Sequence, residues 1–108
     1  MSEFIEYLHE VFAEFGPIRA RRMFGGHGIY HNGLMFALVA DDVLYLKVNE
    51  TSRKYFVDRG MLPFEYSKQN RRVTMSYYQV PEEIFEDSEL AVVWARRAYQ
   101  AAMGSDAG

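Results

Sequence analysis

A chain of 108 residues, 49% of them hydrophobic and 25% charged, fits one globular domain and excludes a second. It has no cysteine, which excludes disulfides, thiolate metal sites and cysteine nucleophiles, and its longest apolar run, Leu34 to Ala40, falls far short of the roughly 20 residues a membrane helix needs. A net charge of −3 argues against a general polyanion binder, while eight Phe, eight Tyr and one Trp supply burial for a small core.

From Ser2 to Phe15 the apolar residues Phe4, Ile5, Leu8, Val11, Phe12 and Phe15 recur at helical spacing, with glutamates mostly between them. This predicts an amphipathic helix capped by Ser2 and stopped by Gly16 and Pro17. The opening Met1-Ser2-Glu3-Phe4 has no basic or apolar leader character, so a cytoplasmic protein without a secretory signal or membrane attachment is expected.

Beyond Pro17 the period switches to two. Ile18 to Phe24, Gly28 to His31, Leu34 to Ala40 and Val43 to Val48 predict an antiparallel meander, broken at Gly25-Gly26, Asn32-Gly33 and Asp41-Asp42. Asn32-Gly33 is the strongest turn signal, because both central residues of a type I′ turn need positive φ. The first two segments read either as two strands or as one strand kinked at its glycines. Asn49 then offers an N-cap for a short helix over Glu50 to Arg59, ended by Gly60. A hairpin follows, Phe64 to Lys68 and Arg72 to Val80, joined across Gln69-Asn70-Arg71. Pro81-Glu82-Glu83 reads as the first turn of a short helix with proline at N1. The last helix starts at Asp87 or Ser88, with an apolar stripe of Leu90, Val93, Trp94, Ala98 and Ala101.

The expected architecture is a single α+β domain over residues 1–103, with 104–108 a disordered tail. It has two layers, an antiparallel sheet with helices on one face, in the order α-β-β-β-β-α-β-β-α. Strict alternation puts Leu34, Phe36 and Leu38 on one face and Met35, Ala37 and Val39 on the other, and separates Val43 and Tyr45 from Leu44, Leu46 and Val48. Both faces are apolar. If helices cover one, Met35, Ala37, Val39 and Tyr45 mark a candidate dimer face on the other, so a homodimer is expected. The alternative is a terminal helix crossing onto the second face.

Chemistry has few footholds. His27 and His31 are four apart in an extended segment, which separates their side chains by about 13 Å, and adding His9 needs a tertiary coincidence. No metal or cofactor site is expected. Gly25-Gly26-His27-Gly28 precedes a strand rather than a helix, so its glycines read as a turn or bulge and not as a phosphate cradle. Ser52, Ser67, Ser76 and Ser88 lack a neighbouring base, so no catalytic residue is assigned. The basic residues are more informative, since Arg19, Arg21 and Arg22, then Arg71 and Arg72, then Arg96 and Arg97 hold seven of the twelve. Beside Tyr30, Tyr45, Tyr77 and Tyr78 they could grip a nucleic-acid backbone, or an acidic protein partner. The simpler reading pairs them with the fifteen acids on a solvated surface.

The stretch Arg21-Arg22-Met23-Phe24-Gly25-Gly26-His27-Gly28-Ile29-Tyr30, with Gly33-Leu34-Met35-Phe36-Ala37 and Leu44-Tyr45-Leu46-Lys47-Val48, resembles the amino-terminal domain of the TfoX (Sxy) competence-regulator family. Met61 to Phe64, Met75-Ser76-Tyr77-Tyr78 with Val80-Pro81-Glu82-Glu83, and Trp94-Ala95 continue the resemblance in the same order. It implies a compact α+β domain grouped with secretion-chaperone-like folds, with Met23, Phe24, Gly25, Gly26, Gly28, Tyr30 and Gly33 as its structural motif. It also implies a role in gene regulation, where full-length members act as co-activators of competence genes alongside a cyclic-AMP receptor protein, and it supplies no catalytic residues. Full-length members carry a further carboxy-terminal helical domain, and this chain is expected to be a stand-alone member without it.

The leading functional expectation is a non-enzymatic regulatory module with a protein partner. The alternatives are direct nucleic-acid binding through Arg19, Arg21, Arg22, Arg71 and Arg72, and a small-ligand binder or enzyme with a pocket near Gly25 to Gly28.

Overall fold

The computed structural model describes residues 3–23 and 25–104; the expected cap Ser2, the motif residue Phe24 and the tail beyond Gly104 lie outside the described residues. The elements are α1 (Glu3–Val11), β1 (Arg19–Met23), β2 (Gly26–His31), β3 (Leu34–Ala40), β4 (Val43–Lys47), α2 (Arg53–Val57), β5 (Pro63–Lys68), β6 (Arg71–Gln79), a 3-10 turn (Glu82–Phe85) and α3 (Ser88–Met103). The strands form one antiparallel sheet in the order β1-β2-β3-β4-β6-β5. This is the expected α+β order of elements. Among the described residues no helix is long and apolar enough to cross a membrane.

Turn chemistry sets the strand boundaries. Met23 pairs with Gly26 and Gly25 takes a φ of +75°, so β1 and β2 are a hairpin rather than one kinked strand. Asn32 and Gly33 have φ of 50° and 83°, the positive pair that a type I′ turn requires. Asp41-Asp42 and Gln69-Asn70 also hold positive φ at both residues. The second hairpin therefore turns over two residues rather than three, and Arg71 is its first strand residue, opposite Lys68.

Local caps set the helix ends. The Asn49 backbone N–H donates to Ser52 Oγ at 3.0 Å and the Ser52 N–H donates to Asn49 Oδ1 at 2.8 Å, a reciprocal pair that closes the turn before α2, so the helix runs over Arg53–Val57 with turns on either side rather than over Glu50 to Arg59. The Asp87 carboxylate accepts from the Glu89 and Leu90 N–H groups at 3.0 and 3.1 Å, capping α3. Pro81 is extended at the N-cap of the 3-10 turn rather than at N1. Helix α1 ends at Val11, and turns carry the chain through Phe15 to Gly16.

The helices share one face of the sheet. Alpha-helix α3 lays Ala91, Trp94, Ala95, Ala98 and Ala101 against it, and α1 adds Ile5, Leu8 and Val11. Val93 of the expected stripe is 44% exposed, because the buried side of α3 is turned toward its alanines. Phe12, Ile29, Phe36, Leu44, Leu46 and Phe56 complete the core, with Trp94 edge-on to Phe56 at 4.8 Å.

One irregularity reassigns the faces. Ile29 pairs with Ala37 but Tyr30 pairs with Met35, so Phe36 is an extra residue in β3, a β-bulge. Phe36 packs against Phe12 and Phe15 at 5.5 and 5.2 Å, and Ala37 and Val39 lie in the same core. Ala37 and Val39 are therefore not on the candidate dimer face, since the extra residue breaks the alternation on which that expectation rested. Met35, Leu38 and Tyr45 face the other way.

A candidate interaction surface on the open sheet face

Across the sheet from the helices, alternate side chains build a second apolar surface. It comprises Met23 on β1, Tyr30 on β2, Met35 and Leu38 on β3, Tyr45 and Lys47 on β4, Phe64 on β5 and Tyr77 on β6. Gly28 makes room for its middle. A Cβ there would sit 2.6 Å from Met23 Sδ, 2.8 Å from Met35 Sδ and 3.1 Å from Tyr30 Cε1, so the three side chains close over the bare backbone. Tyr45 meets Phe64 edge-on at 5.0 Å, and Phe64 stacks with Tyr66 at 6.1 Å. Leu38 and Tyr77 are buried on this face by their neighbours alone. Tyr78, the next residue along, points the other way and packs on Phe56.

Charge is placed sparingly here. The Lys47 ammonium lies 5.1 Å from the Tyr77 ring centroid and the Arg21 guanidinium 5.7 Å from that of Tyr30. Burial, and secondarily the neighbouring Tyr30, push the Tyr77 hydroxyl up to about 12. Burial and then Asp41 raise Tyr45 as well. Both phenols stay neutral at physiological pH and offer O–H groups on an apolar ground.

The arginine segments do not converge. Arg19 stands opposite Tyr30 and Arg21 opposite Gly28, on the open-face side of the edge strand β1, whereas Arg22 stands opposite His27 with the helix-side residue Ala20 as its neighbour. Arg71 and Arg72 lie beyond β2, β3 and β4, opposite Lys68 and Ser67. On α3, Arg97 covers the Tyr55 ring at 3.9 Å and Trp94 at 5.1 Å, while Arg96 is exposed. Among the described residues the ion pairs are Arg59 with Glu83 and Arg72 with Glu65, the latter at 3.4 Å. Of the five candidate arginines only Arg72 is thus matched to an acid, so the expectation of general pairing fails.

The glycine turn encloses little space. Among the described residues, the space lined by Met23, His27, Leu38, Val39, Ala40 and Phe64 holds about 10 Å³, room for one water at most. Gly26 is needed there because a Cβ would run into the Val39 carbonyl. A larger cleft of about 430 Å³ opens at the other end of β1 and β2, lined by Pro17, Ile18, Arg19, Arg21, Tyr30, Asn32 and Gly33. His31 lies behind it with both ring nitrogens engaged, Nδ1 donating to the Pro17 carbonyl at 2.7 Å and Nε2 accepting from Asn32 Nδ2 at 3.3 Å. Among the described residues no three His, Asp or Glu side chains gather as metal ligands would.

Residues 10–102 match the family described as the TfoX N-terminal domain. The chain is 32% identical over 94 residues to Protein Sxy of Escherichia coli strain K12, an alignment covering 87% of this chain and 45% of that protein. It is 31% identical over 86 residues to the DNA transformation protein TfoX1 of Aliivibrio fischeri, covering 80% of this chain and 41% of that protein. The chain thus spans less than half the length of either relative.

Proposed function

The chain belongs to the TfoX N-terminal domain family, and on that premise we propose that it is a non-enzymatic, cytoplasmic regulatory module that acts by binding a protein partner, in a process of the DNA-transformation kind for which one relative is named. The observation that carries this reading is the open sheet face. Among the described residues the six strands are covered by helices on one side, and the other side presents methionine, leucine and aromatic side chains in contact with one another. Methionines can adapt their shape to a partner, and tyrosines offer a large contact area at low conformational-entropy cost. His31 and the Ser52 hydroxyl support a non-catalytic role, since both are used in holding turns together. A second copy of the chain would occupy the same face in the absence of another partner.

Photo-crosslinking tests it. A photoreactive residue at Met35 or Tyr45 should trap a specific partner in the native cytosol, or a second copy of the chain, whereas one at Arg96 on α3 should not. Equal yields from the two faces, or none from the open face, would remove the reading. Light scattering that gives the mass of one chain at micromolar concentration would remove self-association from it.

A further inference from the structure

Strand β4 ends early, and the β5–β6 hairpin does not. β4 pairs with β6 only over Tyr77 to Gln79, with one further bond from the Val48 N–H to the Ser76 carbonyl at 2.9 Å. From Met75 back to Arg71, β6 has β5 as its sheet neighbour and, among the described residues, no strand on its other side, so the hairpin leaves the sheet as a two-stranded arm. Every residue from Glu65 to Arg72 is exposed. The tip is closed by Gln69 and Asn70 at φ of 52° and 64°, the tight turn whose twist matches that of the flanking strands.

The arm is unusual in its charges. Lys68 and Arg71 stand directly opposite each other beside the turn, a like-charge cross-strand pair that disfavours the hairpin. Neither has an acid partner among the described residues, and Glu65, the one carboxylate on the arm, pairs with Arg72. All three cations line one groove of about 540 Å³ with Gln69, Val73 and Thr74. An anion placed between Lys68 and Arg71 converts their repulsion into two contacts.

We infer that this arm is a contact element for the phosphate backbone of duplex DNA. Three observations choose that ligand over an acidic protein. The tip reads Ser67-Lys68-Gln69-Asn70-Arg71-Arg72, and the apolar residues beside it are the Tyr66–Val73 pair, too few for the dry centre a protein interface needs. Those side chains are the types that bind phosphates and base edges. A two-stranded ribbon also fits the major groove of B-form DNA, whereas the major groove of duplex RNA is too deep and narrow to admit it. Two of the fifteen acids lie well away from the arm. Asp42 and Glu82 lie together at the Gln79 end of β6, roughly 27 Å from Arg71 at the rise of a strand, about three Debye lengths at physiological salt. The inference is independent of the open-face reading, because none of its residues belongs to that face's centre.

Fluorescence anisotropy of the whole chain with a labelled random DNA duplex at 50 mM salt tests it. Three phosphate contacts predict weak binding whose log–log salt slope is about −2.7. The triple variant Lys68→Gln, Arg71→Gln, Arg72→Gln should weaken binding at least tenfold and flatten the slope. The charge-conserving variant Lys68→Arg, Arg71→Lys, Arg72→Lys should retain both. Arg19→Ala, Arg21→Ala, Arg22→Ala removes the same net charge from β1 and should leave the affinity within about twofold. Undetectable duplex binding, an equal loss in the β1 variant, equal affinity for duplex RNA, or arm-dependent binding of a polyglutamate peptide instead of DNA would each overturn the assignment. Circular-dichroism melts confirm that each variant is folded.

Discussion

The Lys47 ammonium lies 5.1 Å from the centre of the Tyr77 ring, on the side of the sheet opposite the described helices. The phenol beneath it is nonetheless buried, and that burial lifts its titration to about 12 from the ordinary value of 10.0. Because the folded state holds the proton more tightly than the unfolded chain, Tyr77 contributes stability that is fully present below pH 10 and is lost as pH rises toward 12. The loss is at most about 2–3 kcal/mol. Tyr45, raised in the same direction, adds to it. Ultraviolet titration should show one tyrosine ionising late, and Tyr77→Phe should flatten the alkaline limb of stability against pH. An unchanged limb in that variant would show that the phenol is not held neutral by the fold.

Three glycines should respond to alanine in graded fashion. At Gly26 the new methyl meets the Val39 backbone carbonyl, which belongs to the central strand β3 and cannot give way, so a loss of about 3 kcal/mol or more is expected. At Gly28 the methyl meets the far ends of Met23 and Met35, which can swing aside, and about 1 kcal/mol is expected. At Gly33 nothing lies within 4 Å, and the cost is that of a φ of +83°, about 1–2 kcal/mol. Urea unfolding of the three variants ranks them; Gly26→Ala as mild as Gly33→Ala would contradict the packing of β2 on β3.

His31 should be a structural residue. A carbonyl only accepts, so the neutral ring carries its proton on Nδ1 for Pro17 and turns Nε2 to Asn32. The ring also lies 4.5 Å from Phe15 and 5.1 Å from Tyr99, tying the exit of α1 and the flank of α3 to the β2–β3 turn. His31→Phe should cost about 1 kcal/mol for the hydrogen bond, and His31→Ala about 2 kcal/mol once the ring contacts go as well. Long-range nitrogen–proton NMR reports the tautomer directly, and an Nε2-protonated neutral ring would refute the arrangement.

The order of elements was legible because its punctuation is local. Asn32-Gly33 and Gly60 turn the chain, and Asn49 and Asp87 hold the turn before α2 and the start of α3, each through backbone groups a few residues away; α2 itself is shorter at both ends than its pattern suggested. The hairpin turn was misread by one residue, since Gln69-Asn70 lacks the glycine that usually marks a type I′ pair. The faces of β3 were not legible. Every residue from Leu34 to Ala40 is apolar, so an extra residue anywhere in the strand leaves the pattern looking intact while it turns the remainder over. Whether the arginines converge depends on strand order, and the free arm depends on β4 stopping at Lys47. Neither is written in any local period.

The bulge itself is open to test through the residues it reorients. With unbroken alternation, Phe36 and Ala37 would face opposite sides and one of them would tolerate change. With Phe36 inserted, both lie in the core, Phe36 against Phe12 and Phe15, and Ala37 fully buried. Phe36→Ala should therefore cost about 3–5 kcal/mol through the cavity it leaves, and Ala37→Leu about 2–3 kcal/mol through overpacking. Met35→Ala, on the half-buried open face, should cost about 1 kcal/mol. Guanidinium unfolding of the three variants decides the matter, because Ala37→Leu as mild as Met35→Ala would return Ala37 to the open face and the dimer surface with it.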